Sequence, residues 1–119
     1  MGEPRSYRTL DGSHINELVH PRHDPVTRLS LAQATVAPGR RTYAHIHKTG
    51  EEIYYTISGE GQLHLDSRIE PMQPGSVHLI RPGQNHWVQA LTAAPLCFLC
   101  ACSPPYTDED TELVGPVEV

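Results

Sequence analysis

Four side chains within eight residues carry the types and spacing of a metal centre. In the stretch GRRTYAHIHKTGEEIYYTISG, residues 39–59, His45 and His47 stand two apart, and Glu51 and Glu52 follow a turn at Lys48-Thr49-Gly50. On a strand, side chains two apart project to the same face with about 7 Å between their Cα atoms, so both imidazoles can reach one point. The turn reverses the chain, and the strand after it brings a carboxylate in from the side. A further histidine, His86, lies downstream, just past a Pro82-Gly83 turn that ends the short apolar run 77–80. Imidazole nitrogen and carboxylate oxygen together form a donor set of intermediate hardness.

These residues resemble the two motifs of the cupin superfamily. The first motif is a glycine, five residues, HxH, three or four residues, a glutamate, six residues and a glycine; Gly39, His45, His47, Glu52 and Gly59 meet it in full. Counting back from Gly59 selects Glu52 over Glu51. The second motif is met by Gly75, Gly83 and His86, with Arg81 standing where a proline is expected and Ala90 where an asparagine is expected. The resemblance covers roughly residues 28 to 102. It implies an all-β fold, a small double-stranded β-helix (jelly-roll) barrel, often dimeric, with the metal inside its mouth. The implied ligand set is His45, His47, Glu52 and His86.

The elements that must position these groups follow from alternation. Residues 29–36, LSLAQATV, alternate as a strand, and Pro38-Gly39 closes it with a turn. The next strand carries Tyr43, His45 and His47 on one face. Beyond the turn, Glu52, Tyr54 and Thr56 share a face while Ile53, Tyr55 and Ile57 take the other, so Glu52 points where the histidines point and Glu51 points away. Further strands are expected at 62–66, 69–72, 77–80, 86–91 and 96–102. His78 shares a face with Ile80 and is a candidate to line the pocket, whereas Trp87 should face away from His86.

With 119 residues, the chain is expected to form one domain with one core. Eleven prolines and nine glycines suit short strands joined by turns, not long helices. Residues 1–27 are polar and broken by Pro4, Gly12, Pro21 and Pro25, which reads as an N-terminal arm followed by a single barrel domain, 28–119, with a short C-terminal tail. The arm's apolar cluster, Ile15, Leu18 and Val19, is expected to pack on a second chain. His14, His20 and His23 read as surface histidines. Cys97, Cys100 and Cys102 read as reduced thiols, because Phe98 and Leu99 fill the space where a zinc knuckle needs a turn. Thr107, followed by Asp108, Glu109 and Asp110, suits a capped helical turn.

A net charge of −5 without a basic run excludes a phosphate-tracking surface, so neither nucleic acid nor membrane is an expected partner. The N-terminus lacks an apolar signal core, and a cytoplasmic homodimer is expected. The cofactor is one divalent transition metal: Fe, Mn, Ni, Zn, Cu or Co. A tetrahedral zinc would be saturated by four ligands, whereas a six-coordinate ion keeps two positions open. The expected function is a metalloenzyme for a small oxygenated substrate, carrying carboxylate, enol or carbonyl groups, with dioxygenase, lyase or decarboxylase, or isomerase chemistry. Glu52, Tyr54 and His78 are its candidate catalytic residues, and a substrate anion suits a neutral to positive centre. The alternative is a non-catalytic module that binds or senses a metal or small ligand.

Overall fold

The computed structural model describes residues 5–114. Residues 1–4, at the start of the expected arm, and 115–119, in the expected tail, lie outside the described residues. Among the described residues, eleven strands run in sequence as β1 (Ser6–Arg8), β2 (His14–Val19), β3 (Ser30–Val36), β4 (His45–His47), β5 (Glu51–Ser58) and β6 (Gly61–Leu65). They continue as β7 (Arg68–Met72), β8 (Val77–Ile80), β9 (His86–Ala90), β10 (Leu96–Ser103) and β11 (Thr111–Leu113), with a 3-10 turn at Asp108–Asp110 before the last. One sheet has the order β1-β2-β3-β10-β5-β8, the other β11-β4-β9-β6-β7. The two sheets enclose an apolar core that includes Leu63, Leu65, Met72, Ile80, Val88, Leu96 and Phe98.

The strand pairings among the described residues are antiparallel, and their register places the chemistry. His45 pairs with His86 across β4 and β9. On the facing sheet, Glu52 pairs with Cys102 and Tyr54 with Cys100 across β5 and β10. Strand β5 has an inverted polarity: Glu52, Tyr54 and Thr56 are buried, while Ile53, Tyr55 and Ile57 are exposed. Period-two alternation requires one face to be inside, and here the polar face is. That inversion turns acid and hydroxyl groups towards the histidines.

The turn between β5 and β6 depends on glycine. Gly59 has φ +81°, and a Cβ there would collide with the Pro95 carbonyl oxygen. A side chain at this position would be strained by the left-handed backbone as well as by the collision.

The N-terminal region differs from the expected arm. Strands β1 and β2 form a hairpin that extends the larger sheet, with Ile15 opposite Ala34 of β3. Ile15 belongs to this chain's own core and so is not available to a second chain; Leu18 is exposed and Val19 partly so. The polar look of the segment comes from Glu17, an inward-facing acid where an apolar residue would be the rule. His20 is buried and His23 nearly so, which corrects their reading as surface histidines; His14 alone is exposed. Glu17 accounts for His23. It accepts hydrogen bonds from Tyr7 Oη at 2.6 Å, Arg22 Nη2 at 2.7 Å and His23 Nε2 at 3.0 Å. His20 Nε2 donates to the Tyr106 carbonyl at 2.9 Å.

Candidate metal centre

Each of the three histidines is oriented by what its Nδ1 meets. His45 Nδ1 is 2.9 Å from the Tyr43 carbonyl, and His86 Nδ1 is 3.0 Å from the Gln84 carbonyl. His47 Nδ1 is 3.2 Å from Thr111 Oγ1, whose own proton goes to the Thr107 carbonyl at 3.0 Å. A carbonyl can only accept, and the Thr111 hydroxyl has spent its proton. All three rings therefore carry their proton on Nδ1 and present an Nε2 lone pair.

Those lone pairs converge. His45, His47 and His86 form a group that could hold a metal ion, their ligand atoms within 4.8 Å of one another. Glu52 joins from β5: its Oε1 lies 3.0 Å from His47 Nε2 and 3.6 Å from His86 Nε2. His47 Nε2, His86 Nε2 and Glu52 Oε1 are all buried, and none has a hydrogen bond of acceptable geometry. Buried polar atoms are ordinarily satisfied, so three such atoms aimed at one another fit a shared cation. The close His47–Glu52 contact shows the other way to relieve the site, a proton in place of the metal. Burial lowers His47's affinity for that proton, but the Glu52 carboxylate outweighs it and leaves the imidazole raised.

The electrostatics agree with a ligand set. Burial disfavours ionised Glu52, yet the His47 and His86 rings hold its carboxyl well below the usual range. Burial, helped by the neighbouring His86, pushes His45 down to about 4, so this imidazole is neutral at ordinary pH, as a ligand must be. Glu51, one residue earlier, is exposed.

Support for the β4–β5 turn comes from a residue that spacing alone does not single out. The Asp110 carboxylate accepts hydrogen bonds from the Thr49 and Gly50 amides, each at 2.9 Å, and from Thr49 Oγ1 at 2.8 Å. Asp110 sits in the expected capped turn, where Thr107 Oγ1 accepts from the Asp110 amide at 3.2 Å. The acidic run was visible in the sequence; its grip on a loop sixty residues earlier was not.

A narrow cavity opens onto the centre. His45, His47, Glu52 and Tyr54 line it on one side; Ile15, Ala32, Ala34 and Phe98 form an apolar wall. Burial, reinforced by Glu52, raises Tyr54 well above the ordinary phenol value, so it offers a hydroxyl and not a phenolate. Asp11, Glu17 and Glu52 all line the cavity, and no Lys or Arg among the described residues does. The wall is thus more acidic than the neutral to positive centre expected, because the N-terminal hairpin contributes two of the acids. His78 does not join the site. Its Nδ1 is 2.8 Å from Glu70 and its Nε2 3.2 Å from the Pro71 carbonyl, and it is not among the cavity-lining residues.

The three cysteines are free, and Cys100 and Cys102 face the cavity. Trp87 stacks on His64 with ring centroids 3.6 Å apart, away from the ligands.

A family model described as a cupin domain matches residues 32–102. An uncharacterized protein of Methanocaldococcus jannaschii is 40% identical over 110 residues, which cover 92% of this chain and 88% of that one. An oxalate-binding protein of Thermotoga maritima is 30% identical over 69 residues, covering 58% of this chain and 57% of its own length. In three dimensions, the oxalate decarboxylase of Lactobacillus farciminis, in its formate complex, superposes with a TM-score of 0.79 at 20% identity, over 93% of this chain and 33% of that one. A likeness at that identity speaks for the fold alone. Family model, topology and motif spacing agree: the chain belongs to the cupin superfamily.

Proposed function

We propose that this chain is a mononuclear metal-dependent cupin enzyme acting on a small oxygenated substrate that bears carboxylate, enol or carbonyl groups. The observation that carries the reading is the set of buried, unsatisfied atoms, His47 Nε2, His86 Nε2 and Glu52 Oε1, gathered beside His45 at the end of a cavity. His45, His47, Glu52 and His86 would hold one divalent Fe, Mn, Ni, Zn, Cu or Co ion. When bound, such an ion supplies Lewis-acid or redox chemistry to an oxygen donor in the cavity. The chain's own part is positional. Tyr54 offers a protonated hydroxyl beside Glu52, the wall of Ile15, Ala32, Ala34 and Phe98 excludes water, and the barrel strands fix the ligand geometry before any substrate arrives. The family hosts many reactions on one architecture, so the reaction is to be read from turnover.

A binding or sensing module is the second reading, favoured by the relative named as an oxalate-binding protein. One experiment separates them. Protein purified without added metal is analysed for metal, loaded with Fe(II), Mn(II), Co(II) or Ni(II), and exposed to oxalate, 2-oxo acids, enols and diketones. Spectral change with turnover supports the enzyme; spectral change alone supports the binder. A four-coordinate zinc indifferent to every ligand removes the enzyme and leaves a module that only holds a metal.

We further propose a cytoplasmic homodimer, with the interface on the outer face of β5 and β8. Ile53, Tyr55, Ile57, Val77 and Leu79 are all exposed there, and Ile53 pairs with Leu79 and Tyr55 with Val77. Together they present a contiguous exposed apolar face, the kind of patch that marks an interaction surface. Exposed Glu51 and Arg81 border it with one charge of each sign, so a second copy can meet it without like-charge repulsion.

A further inference from the structure

We propose that Asp11, on the turn of the N-terminal hairpin, is a fifth protein ligand of the metal centre. The inference rests on the metal-binding reading of that centre and adds a carboxylate that neither cupin motif contains.

Asp11 is held so that only one of its oxygens is available. Its Oδ1 accepts hydrogen bonds from Thr9 Oγ1 at 2.6 Å, from Ser13 Oγ at 2.7 Å and from the Ser13 amide at 2.9 Å. Oδ2 faces the other way, into the cavity, 3.6 Å from His45 Nε2. That separation is too long for a hydrogen bond. It equals the 3.6 Å between Glu52 Oε1 and His86 Nε2. Ligands adjacent on a metal with bonds of ~2.1 Å lie ~3 Å apart, and ligands opposite each other ~4.2 Å. Asp11 Oδ2 falls between those limits.

The two atoms are poorly matched as they stand. His45 presents a lone pair at Nε2, since its Nδ1 proton goes to the Tyr43 carbonyl. A carboxylate oxygen and an imidazole lone pair repel, and a shared cation turns that repulsion into two bonds. The pair is also placed as a unit: the Asp11 carbonyl accepts the Tyr43 amide at 2.7 Å, so the hairpin turn and the His45 ring are referenced to one residue. Glu52 approaches from the His47 and His86 side, Asp11 from the His45 side. Five ligands leave one open position on a six-coordinate ion. Two carboxylates then neutralise its charge, so the site favours a neutral or singly charged oxygen donor over a dianion.

The test compares the full-length wild type with Asp11→Asn and Asp11→Glu by competing each for Co(II) and Mn(II) against a chelator and recording the visible spectrum of the Co(II) form. Asn keeps the acceptor for Thr9 and Ser13 but loses the charged donor; Glu keeps the charge. The expected result is at least a tenfold loss of Co(II) affinity and a changed Co(II) spectrum for D11N, with most of both recovered in D11E. Wild-type affinity and spectrum in D11N overturn the proposal. Equal loss in D11N and D11E assigns the effect to the turn and overturns it as well. A wild-type chain that takes up no metal instead removes the proposed function itself, a result distinct from either.

Discussion

The Cys102 thiol lies 3.1 Å from Glu52 Oε2 and donates to it. Burial first, and the Glu52 charge second, push this thiol far up, so it remains an S–H donor at any working pH. Its hydrogen bond occupies one carboxylate oxygen and leaves the other, Oε1, aimed at His47 and His86. Cys102→Ala should therefore free Glu52 to rotate and lower metal affinity by about tenfold, the usual effect of losing a group that orients a ligand. Chelator competition reads it, and unchanged affinity would show that the barrel alone fixes Glu52.

Replacing His45, His47, Glu52 or His86 singly by Ala should strip the metal from purified protein, while Glu51→Ala should leave it. Elemental analysis of the five variants decides the register: loss in Glu51→Ala with retention in Glu52→Ala would shift the site by one residue.

Glu17 gives an acid-dependent stability. Burial works against its charge, but Arg22, Tyr7 and His23 together hold its carboxyl below the ordinary 4.5. A folded value below the unfolded one stabilises the native state fully above about pH 4.5. That contribution is lost as pH falls through the folded value. Glu17→Ala should cost about 2 kcal/mol at neutral pH. Thermal melts should also show a shallower decline for the variant than for wild type below about pH 4.5. Parallel declines would mean that Glu17 contributes no linkage.

A charge on the outer face of β5 should dissociate the proposed dimer. Tyr55→Lys or Leu79→Lys is expected to halve the mass seen by light scattering at micromolar concentration without lowering metal content. A wild-type monomer at that concentration would remove the interface.

The fold was legible where period-two alternation was strict. The spacing of His45 and His47, and of Glu52 against exposed Glu51, follows from which faces share a side, and β5 obeys it from Glu51 to Ile57. The hairpin at β1 and β2 was less readable, because Glu17 occupies an inward position and breaks the apolar pattern. A signal was present in Asp11-Gly12, a pair typical of tight hairpins, and Gly12 does take φ +91°. What spacing could not supply was long-range pairing. Asp110 beneath the Thr49-Gly50 turn, Thr111 against His47 and Glu70 against His78 are contacts between residues that no local period relates.

The β1–β2 hairpin hangs on the larger sheet through β3, whereas His45, His47, Glu52 and His86 come from β4, β5 and β9 inside the barrel. Cavity-facing hairpin positions such as Tyr7 can thus be exchanged with little disturbance to the barrel strands that carry the histidines. Selectivity and metal chemistry are therefore largely separable in inheritance: a lineage can retune what the cavity admits by rewriting hairpin positions around Asp11 while Asp11 and the barrel ligands stay in place.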